Sequence, residues 1–319
     1  MGAYYYDLNT YFRNKFGERV HKLTVDAGFD CPNRDGRIAT GGCIFCNPQG
    51  SGTGQHVRGL SIREQLERSK VPVARRFKAY KYIAYFQSFS NTYAPLPRLQ
   101  AAYNEALAVP GIVGLSIGTR PDCIDEEILS LLSRYARRCL VWIEYGLQSA
   151  HDRTLAAIRR GHDVRCFIDA VERTRNRGVA ICAHVILGLP GESRRDMRET
   201  ARLVADLGLD GIKLHLLYVI RGTPLEKRYR QGDYRCLGQA EYADLVCDVI
   251  ERLPPQTVIQ RVTGDPHPRE LVAPRWALAK KQTIEMIHAR FEARQTRQGR
   301  RYRPKSAGTH EGREDGLKP

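Results

Sequence analysis

No stretch of the chain approaches the ~20 consecutive apolar residues that a membrane-spanning helix needs. The opening segment, MGAYYYDLNTYFRNKFG, has no apolar signal core, which argues against secretion. Gly2 follows Met1, but Tyr6 stands where a myristoylation signal carries Ser or Thr. These absences leave a cytoplasmic chain without membrane association as the expectation. Acidic residues are the minority: 35 Asp and Glu face 51 Lys and Arg, a formal net charge of +16. Hydrophobic residues make up 42% of the 319, enough for a sizeable core, so wholesale disorder is excluded. The length suits one large α/β domain or two smaller ones.

Nine cysteines in a reducing compartment argue against a disulfide scaffold. Cys139, Cys166, Cys182, Cys236 and Cys247 lie singly in apolar or helical contexts and read as small buried hydrophobes. Cys123 also stands alone, after a loop motif. Cys31, Cys43 and Cys46, by contrast, fall inside sixteen residues.

Six short, nearly continuous apolar runs read as strands covered on both faces: 20–25, 82–87, 112–117, 140–145, 180–187 and 211–219. Helical spacing fills segments 124–138, 165–178 and 193–207, with Ser193 as an N-cap and Gly178 and Gly208 as helix stops. The alternation implies a parallel sheet with right-handed crossovers, either an open doubly wound sheet or an incomplete (β/α) barrel. Both collect chemistry at the carboxyl ends of their strands. Beyond the alternation there is no internal repeat.

The pattern changes after about residue 235. A helix over 240–253, a short strand over 257–262 and a helix over 276–294 read as a small α+β addition packed on the barrel. From Arg294 onward eight Lys and Arg face three Asp and Glu with almost no apolar residue, so a disordered tail is expected. The organisation is therefore an N-terminal extension (1–19), a core (20–235), a C-terminal extension (236–293) and a basic tail (294–319).

The segment CPNRDGRIATGGCIFC places Cys31, Cys43 and Cys46 just after the first strand. A tight loop turns the Cys43 and Cys46 thiolates to one side, and Cys31 reaches them over a loop rich in Pro, Asn, Asp and Gly. Three thiolates are an incomplete set for structural zinc, which takes four ligands. An iron–sulfur cluster leaves one iron for a non-protein ligand. Zinc completed by His21 or His56, three unconnected thiols, and a thioredoxin-like CxxC pair remain alternatives on spacing alone.

Cys43-Ile44-Phe45-Cys46 resembles the cluster loop of radical S-adenosylmethionine enzymes, although eleven residues separate the first two cysteines where the superfamily usually has three. A long first gap also occurs in the radical domain of the elongator catalytic subunit. Ile117-Gly118-Thr119-Arg120-Pro121-Asp122, Glu144-Tyr145-Gly146-Leu147-Gln148-Ser149, Arg160-Gly161-His162 and 184–191 (HVILGLPG) resemble motifs of that subgroup in the same order. Segment 85–95 (YFQSFSNTYAP) and the stretch from Trp276 through Lys281 to Gln298-Gly299 are similar to the uncharacterised YhcC-type radical proteins. The resemblance runs from about Tyr5 to Gly299 and includes no acetyltransferase domain.

The resemblance implies a partial (β/α)6 TIM-like barrel with a small C-terminal α+β extension. It implies a [4Fe-4S] cluster on Cys31, Cys43 and Cys46, with S-adenosylmethionine on the open iron. One electron, from a flavodoxin- or ferredoxin-like donor, then yields a 5′-deoxyadenosyl radical that abstracts hydrogen from substrate. Phe45 is expected near the adenine, Gln87 and Ser88 at the amino-group site, Gln148 on the ribose, and Arg160, grouped with these cofactor-binding residues, on the substrate carboxylate. Gly188 and Gly191 are expected to let the backbone pass close to the cofactor. Glu144, one residue inside a buried strand, must be paired or face a polar cavity. His184 is either a lining residue or a bonded core histidine. Gly118 replaces the family's glutamate in the third-strand loop. Position alone makes Tyr93, Cys123, Lys213 and His215 candidate catalytic residues, with Arg120 and Tyr218 nearby.

Arg75, Arg76, Lys78 and Lys81 cluster before the second strand, interleaved with Tyr80 and Tyr82. Such a basic patch attracts polyanions. Kinship with the elongator domain points the same way, to transfer RNA, while small-molecule and peptide substrates stay open. The alternative class is a non-enzymatic zinc- or cluster-containing RNA-binding protein.

Overall fold

The computed structural model describes residues 4–47 and 59–304. After a first helix α1 (Leu8–Phe16), strands and helices alternate as β1 (Val20–Val25), α2 (Ile62–Phe77), β2 (Lys81–Phe86), α3 (Leu96–Leu107), β3 (Ile112–Thr119), α4 (Glu126–Ala136) and β4 (Leu140–Gln148). They continue as α5 (Asp152–Ala157), α6 (Val164–Thr174), β5 (Ala180–Leu187), α7 (Arg194–Asp206), β6 (Gly211–Leu216), β7 (Val219–Ile220) and α8 (Pro224–Gln231). The C-terminal part holds α9 (Gln239–Ile250), β8 (Val258–Arg261), β9 (Leu271–Ala273) and α10 (Lys280–Ala293). Helix starts follow local chemistry: Asp7, Asp125, Asp163 and Ser193 each accept a backbone N–H as N-cap. Ser61 and Glu64 form a reciprocal capping box on α2.

All six expected strands form and run parallel, curling into an open barrel with the helices outside. The sheet has a seventh strand, which the sequence reading had assigned to a separate addition. β8 pairs parallel with β6, giving the order β1-β2-β3-β4-β5-β6-β8. The run 211–219 is broken: β6 ends at Leu216, and β7 instead pairs antiparallel with β9. The expected last helix begins with a 3-10 turn, Arg275–Leu278, before α10.

The alternation of side chains along each strand divides the sheet's two faces. Val141, Ile143, Tyr145 and Leu147 of β4 join the core under the helices, as do Ile181, Ala183, Val185 and Leu187 of β5. The inward residues stack in layers. The lowest is apolar: Val20, Ile83, Trp142, Cys182 and Val258, covered by Tyr11 and Phe12 of α1. Gly211 faces this layer because Trp142 fills the space a Cβ would need, 3.0 Å away. Above it lies a charged layer of Lys22, Glu144 and Lys213, and above that the cavity described below.

The gap between the edge strands β1 and β8 is spanned by the N-terminal segment, where Ile259 donates its N–H to the Tyr6 carbonyl at 2.8 Å. Residues 294–304 are not the loose tail expected from their composition. Gln298 is buried and donates to the carbonyls of Pro254 and Thr257. Arg301 pairs with buried Glu251, and Arg294 with Asp244 and Asp248. The basic residues there satisfy acids of α9, a long-range pairing that composition does not disclose. The rest of the expected tail, 305–319, lies outside the described residues. Of the lone cysteines, Cys182 and Cys247 are buried, while Cys139, Cys166 and Cys236 are half-buried.

Candidate active site

The loop after β1 is folded back on itself. Gly42 donates its N–H to the Asn33 carbonyl at 2.8 Å, which brings the arm carrying Cys31 alongside the arm carrying Cys43. Cys46 donates its N–H to the Cys43 carbonyl at 3.0 Å, a tight turn that puts both thiols on one side. Ile44 is the anchor: it is buried, donates to the Ile158 carbonyl and accepts from the Leu225 N–H. Gly161 is needed for a close approach, with φ +78° and Asn33 Oδ1 only 2.9 Å from where a Cβ would stand.

Arg160 stands behind the thiols. Its guanidinium lies 3.7 Å from Cys43 Sγ and donates to the Gly146 carbonyl at 2.8 Å. A hydrogen bond from Cys46 outweighs burial and, with Arg160, holds the Cys43 thiol well below its usual range; the same bond and burial push Cys46 up. A thiolate kept ionised beside a guanidinium is a ready metal ligand.

All three cysteines line one cavity of about 1470 Å³, counted with its open mouth, at the carboxyl ends of the strands. Several polar atoms on its wall are buried without a hydrogen-bond partner among the described residues: Gln87 Oε1, Ser90 Oγ, Arg120 Nη1 and Arg160 Nε. Buried polar groups are rarely left unpaired, so this wall is built for a ligand that brings its own donors and acceptors. Three thiols on a loop facing such a wall fit an iron–sulfur cluster with an amino-acid nucleotide beside it. A lone tetrahedral zinc fits less well. At about 2.3 Å from each sulfur it would draw the sulfurs to roughly 3.8 Å apart. Among the described residues, however, the one group of His, Cys, Asp or Glu with ligand atoms inside 4.8 Å is His151, Asp196 and Glu199. His21 stacks on Phe77 at 4.5 Å and lines a different cavity, and His56 lies outside the described residues.

The cavity floor is an ion network. Glu144 is fully buried. Lys22 donates to one of its oxygens at 2.6 Å, together with the Ser116 hydroxyl; His184 bonds the other at 2.7 Å, with the Lys213 ammonium. Burial alone would raise this carboxyl, but Lys213, Lys22 and His184 hold it well below the usual carboxylate range. Burial lowers Lys213 to about 7, against the pull of Glu144. Burial also lowers His184 to about 4 and His215 well below its ordinary value. Tyr85 lies under the Lys213 ammonium, 3.9 Å from ring centre to nitrogen, and burial raises its hydroxyl.

The expected residues fall into three sets. Phe45, Gln87, Gln148, Arg160 and His215 line the cavity with the cysteines. Glu144 and His184 line it too, and Glu144 is paired as expected, with four donors on the roughly four lone-pair sites of its carboxylate. Lys213 is buried beneath, bonded to Glu144. The third set is not among the lining residues. Ser88 is not on the lining, which Ser90 joins; Tyr93 bonds Asp35 at 2.9 Å; and Cys123 is buried, with burial pushing its thiol up to about 12. Gly188 has φ +88°, packs against Leu237 and accepts from the Tyr234 hydroxyl, a left-handed turn after β5. Arg120 and Tyr218 do line the cavity.

Sequence reasoning missed Lys22, Tyr85, Arg261 and Glu270, which join the site from β1, β2, β8 and the following loop. A lysine inside the apolar run VHKLTV was a readable signal, because a buried ammonium must find a carboxylate.

The Radical SAM superfamily profile matches residues 34–204, and the Radical_SAM C-terminal domain matches residues 209–293. The chain is 42% identical over 296 residues to the uncharacterized protein YtqA of Bacillus subtilis, covering 93% of this chain and 92% of that one. Protein YhcC of Escherichia coli is 40% identical over 263 residues, covering 82% and 84%. The fold is similar to that of the archaeal Methanocaldococcus infernus Elp3 with its N-terminus deleted, with a TM-score of 0.63 at 18% identity, covering 88% of this chain and 64% of that one. The chain belongs to the radical SAM superfamily, whose enzymes use S-adenosylmethionine with an iron–sulfur cluster and an electron donor, and it is a radical SAM enzyme.

Proposed function

We propose that Cys31, Cys43 and Cys46 hold a [4Fe-4S] cluster, and that the unpaired wall of the same cavity binds S-adenosylmethionine. When bound and reduced by one electron from a flavodoxin- or ferredoxin-like donor, this pair supplies a 5′-deoxyadenosyl radical for hydrogen abstraction from substrate. The observation that carries the reading is the meeting of three loop thiols with four orphaned polar atoms on one buried wall. In this reading the unpaired Gln87 Oε1 and Ser90 Oγ accept from the cofactor's ammonium, and the unpaired Arg120 Nη1 and Arg160 Nε donate to its carboxylate. Phe45 offers an apolar face to adenine, and Gln148 a side-chain amide to the ribose. The apolar layer beneath the ion network keeps bulk water from entering at the barrel's base.

Transfer RNA is the proposed substrate class. Tyr80 is exposed at the end of α2 among Arg75, Arg76 and Lys78, an aromatic and cationic surface suited to a nucleic acid. No helix among the described residues is long and apolar enough to cross a membrane.

Anaerobic reconstitution with iron and sulfide tests the assignment. The expected product is brown, and under strong reductant it converts S-adenosylmethionine to 5′-deoxyadenosine. Cys43→Ala abolishes both. A colourless protein holding one zinc would support the RNA-binding alternative instead. Transfer RNA binding is expected to weaken steeply with salt, and salt-insensitive binding would remove that substrate class.

A further inference from the structure

Arg261 ends β8 and is a cation without a counterpart. A register shift between β6 and β8 puts Arg261 opposite Lys213, whose own neighbour on β5 is His184. Bulges of this kind re-aim a side chain, and here both Gln260 and Arg261 reach inner surfaces of the barrel. Arg261 lines the cavity that contains the cysteines, and it also lines the adjoining cavity on the open side of the barrel between β1 and β8.

No described residue gives the Arg261 guanidinium a hydrogen bond or an ion pair. The nearby acids are committed elsewhere. Glu144 is saturated by Lys22, Lys213, Ser116 and His184. Asp265 pairs with Lys280, and Glu270 accepts from the Asn47 amide at 3.0 Å. Three cations, Lys22, Lys213 and Arg261, thus stand around the Glu144 carboxylate, and the two other acids of the cavity, Asp265 and Glu270, make no hydrogen bond or ion pair to Arg261. Beside them His215 Nε2 is buried on the cavity wall with no partner, its ring 5.1 Å from that of His184. A half-buried guanidinium without a partner and a buried unused nitrogen on the same cavity wall describe a site for an oxyanion.

We propose that Arg261, with His215 beside it, docks a carboxylate or phosphate group of the substrate. This rests on the reading that the cysteine side of the cavity is taken by the cofactor. Arg261 belongs to the opposite wall, built from β5, β6 and β8, so an anion held there presents the rest of the substrate to the space between. The planar fork of the guanidinium suits two oxygens of either group, and a lysine would supply only a point charge.

The test uses cluster-loaded protein with S-adenosylmethionine bound, titrated anaerobically with acetate and, separately, with inorganic phosphate. Saturable binding of at least one is expected, and the tighter of the two identifies the group. Arg261→Ala is expected to raise that Kd about tenfold or more, and Arg261→Lys to raise it less, with affinity for S-adenosylmethionine unchanged in both. If the alanine variant fails to fold, the lysine variant carries the test through its weaker binding. The proposal is overturned if neither anion saturates the wild type, or if both variants bind as the wild type does. Loss of S-adenosylmethionine binding in place of anion binding overturns it as well. The radical reading is checked in the same samples by 5′-deoxyadenosine formation without substrate. Its absence alongside Arg261-dependent anion binding would remove the radical chemistry and leave the anion site standing.

Discussion

Lys22 on β1 and Gln260 on β8 face each other across the opening of the barrel, ammonium to amide oxygen, at 2.6 Å. The two edge strands share no ladder, so this contact joins them through side chains. The same ammonium donates to Ser116 and Glu144, so its three donors are all used. Glu144 in turn ties Lys22 to His184 and Lys213 on β5 and β6. One carboxylate therefore connects β1, β4, β5 and β6 under the cavity.

Replacing that carboxylate removes the only acid of the network. Glu144→Gln leaves buried Lys213 and half-buried Lys22 without a counter-charge, and breaking a buried pair from one side costs about 3–5 kcal/mol. The loss is expected to be larger at pH 6 than at pH 8, because in the wild type Lys213, lowered to about 7 by burial, keeps its charge pair with Glu144 at pH 6 and sheds its proton by pH 8. Denaturant titration at the two pH values measures the difference. Equal stability of variant and wild type at pH 6 would show that the network carries no stability.

His184 gives a second pH dependence with a definite sign. Burial lowers its folded pKa to about 4 from an ordinary 6.5, so between these values the unfolded chain binds the proton more readily. Stability attributable to His184 is complete above pH 6.5 and is lost as pH falls toward 4, about 3 kcal/mol in all. Because His21, His162 and His215 are lowered in the same direction, the comparison is wild type against His184→Gln. The wild type should lose more stability than the variant across that window; parallel curves would refute the assignment.

The strands were legible because runs such as YIAYF and VWIEY are covered on both faces and leave no ambiguity of side. The cysteine loop stood out because three cysteines in sixteen residues are too closely grouped for ordinary packing, and the structure puts all three on one cavity. β8 was misplaced because four residues carry too little pattern to reveal a partner; its place is fixed by the Val258 N–H donating to the Asp210 carbonyl just before β6. The far wall of the cavity was hidden for the same reason. Arg261 and Glu270 reach it only through that pairing and the loop that follows. Gly188 illustrates the converse: a glycine in a matching motif serves the turn and the close approach of Leu237.

Gly146 is the position where one methyl group reaches the chemistry. A Cβ there would lie 2.4 Å from Arg160 Nη2 and 2.6 Å from Gln148 Nε2, both the ends of flexible side chains. Gly146→Ala should therefore fold with little loss, yet turn Arg160 away from Cys43 and the Gly146 carbonyl. The expected result is a normal melting temperature with S-adenosylmethionine binding weakened about tenfold. Gly114→Ala is the contrast. Its Cβ would meet the Leu140 carbonyl oxygen at 2.4 Å, so two strands must part, at a cost of about 1–3 kcal/mol. Thermal melts and equilibrium binding on the two variants separate the roles.

The segment after α10 makes a sharp prediction about length. Asp248 on α9 and Glu251 just after it are both buried; Glu251 pairs with the C-terminal Arg301, and Asp248 with the C-terminal Arg294 as well as Arg194 and Arg198. Gln298 adds three hydrogen bonds, to the Tyr6 N–H and the carbonyls of Pro254 and Thr257, which tie both ends of the chain to the start of β8. Truncation after Pro304 removes none of these and should leave the melting temperature unchanged. Truncation after Ala293 removes Arg294, Gln298 and Arg301, leaves Asp248 with Arg194 and Arg198, and strands Glu251 as an unpaired buried carboxylate, a loss of roughly 3 kcal/mol or more. Glu251→Gln in the shorter chain should then recover part of that loss, because an amide is less costly to bury than a charge. Equal melting of the two truncations would mean that residues 294–304 contribute nothing to the fold.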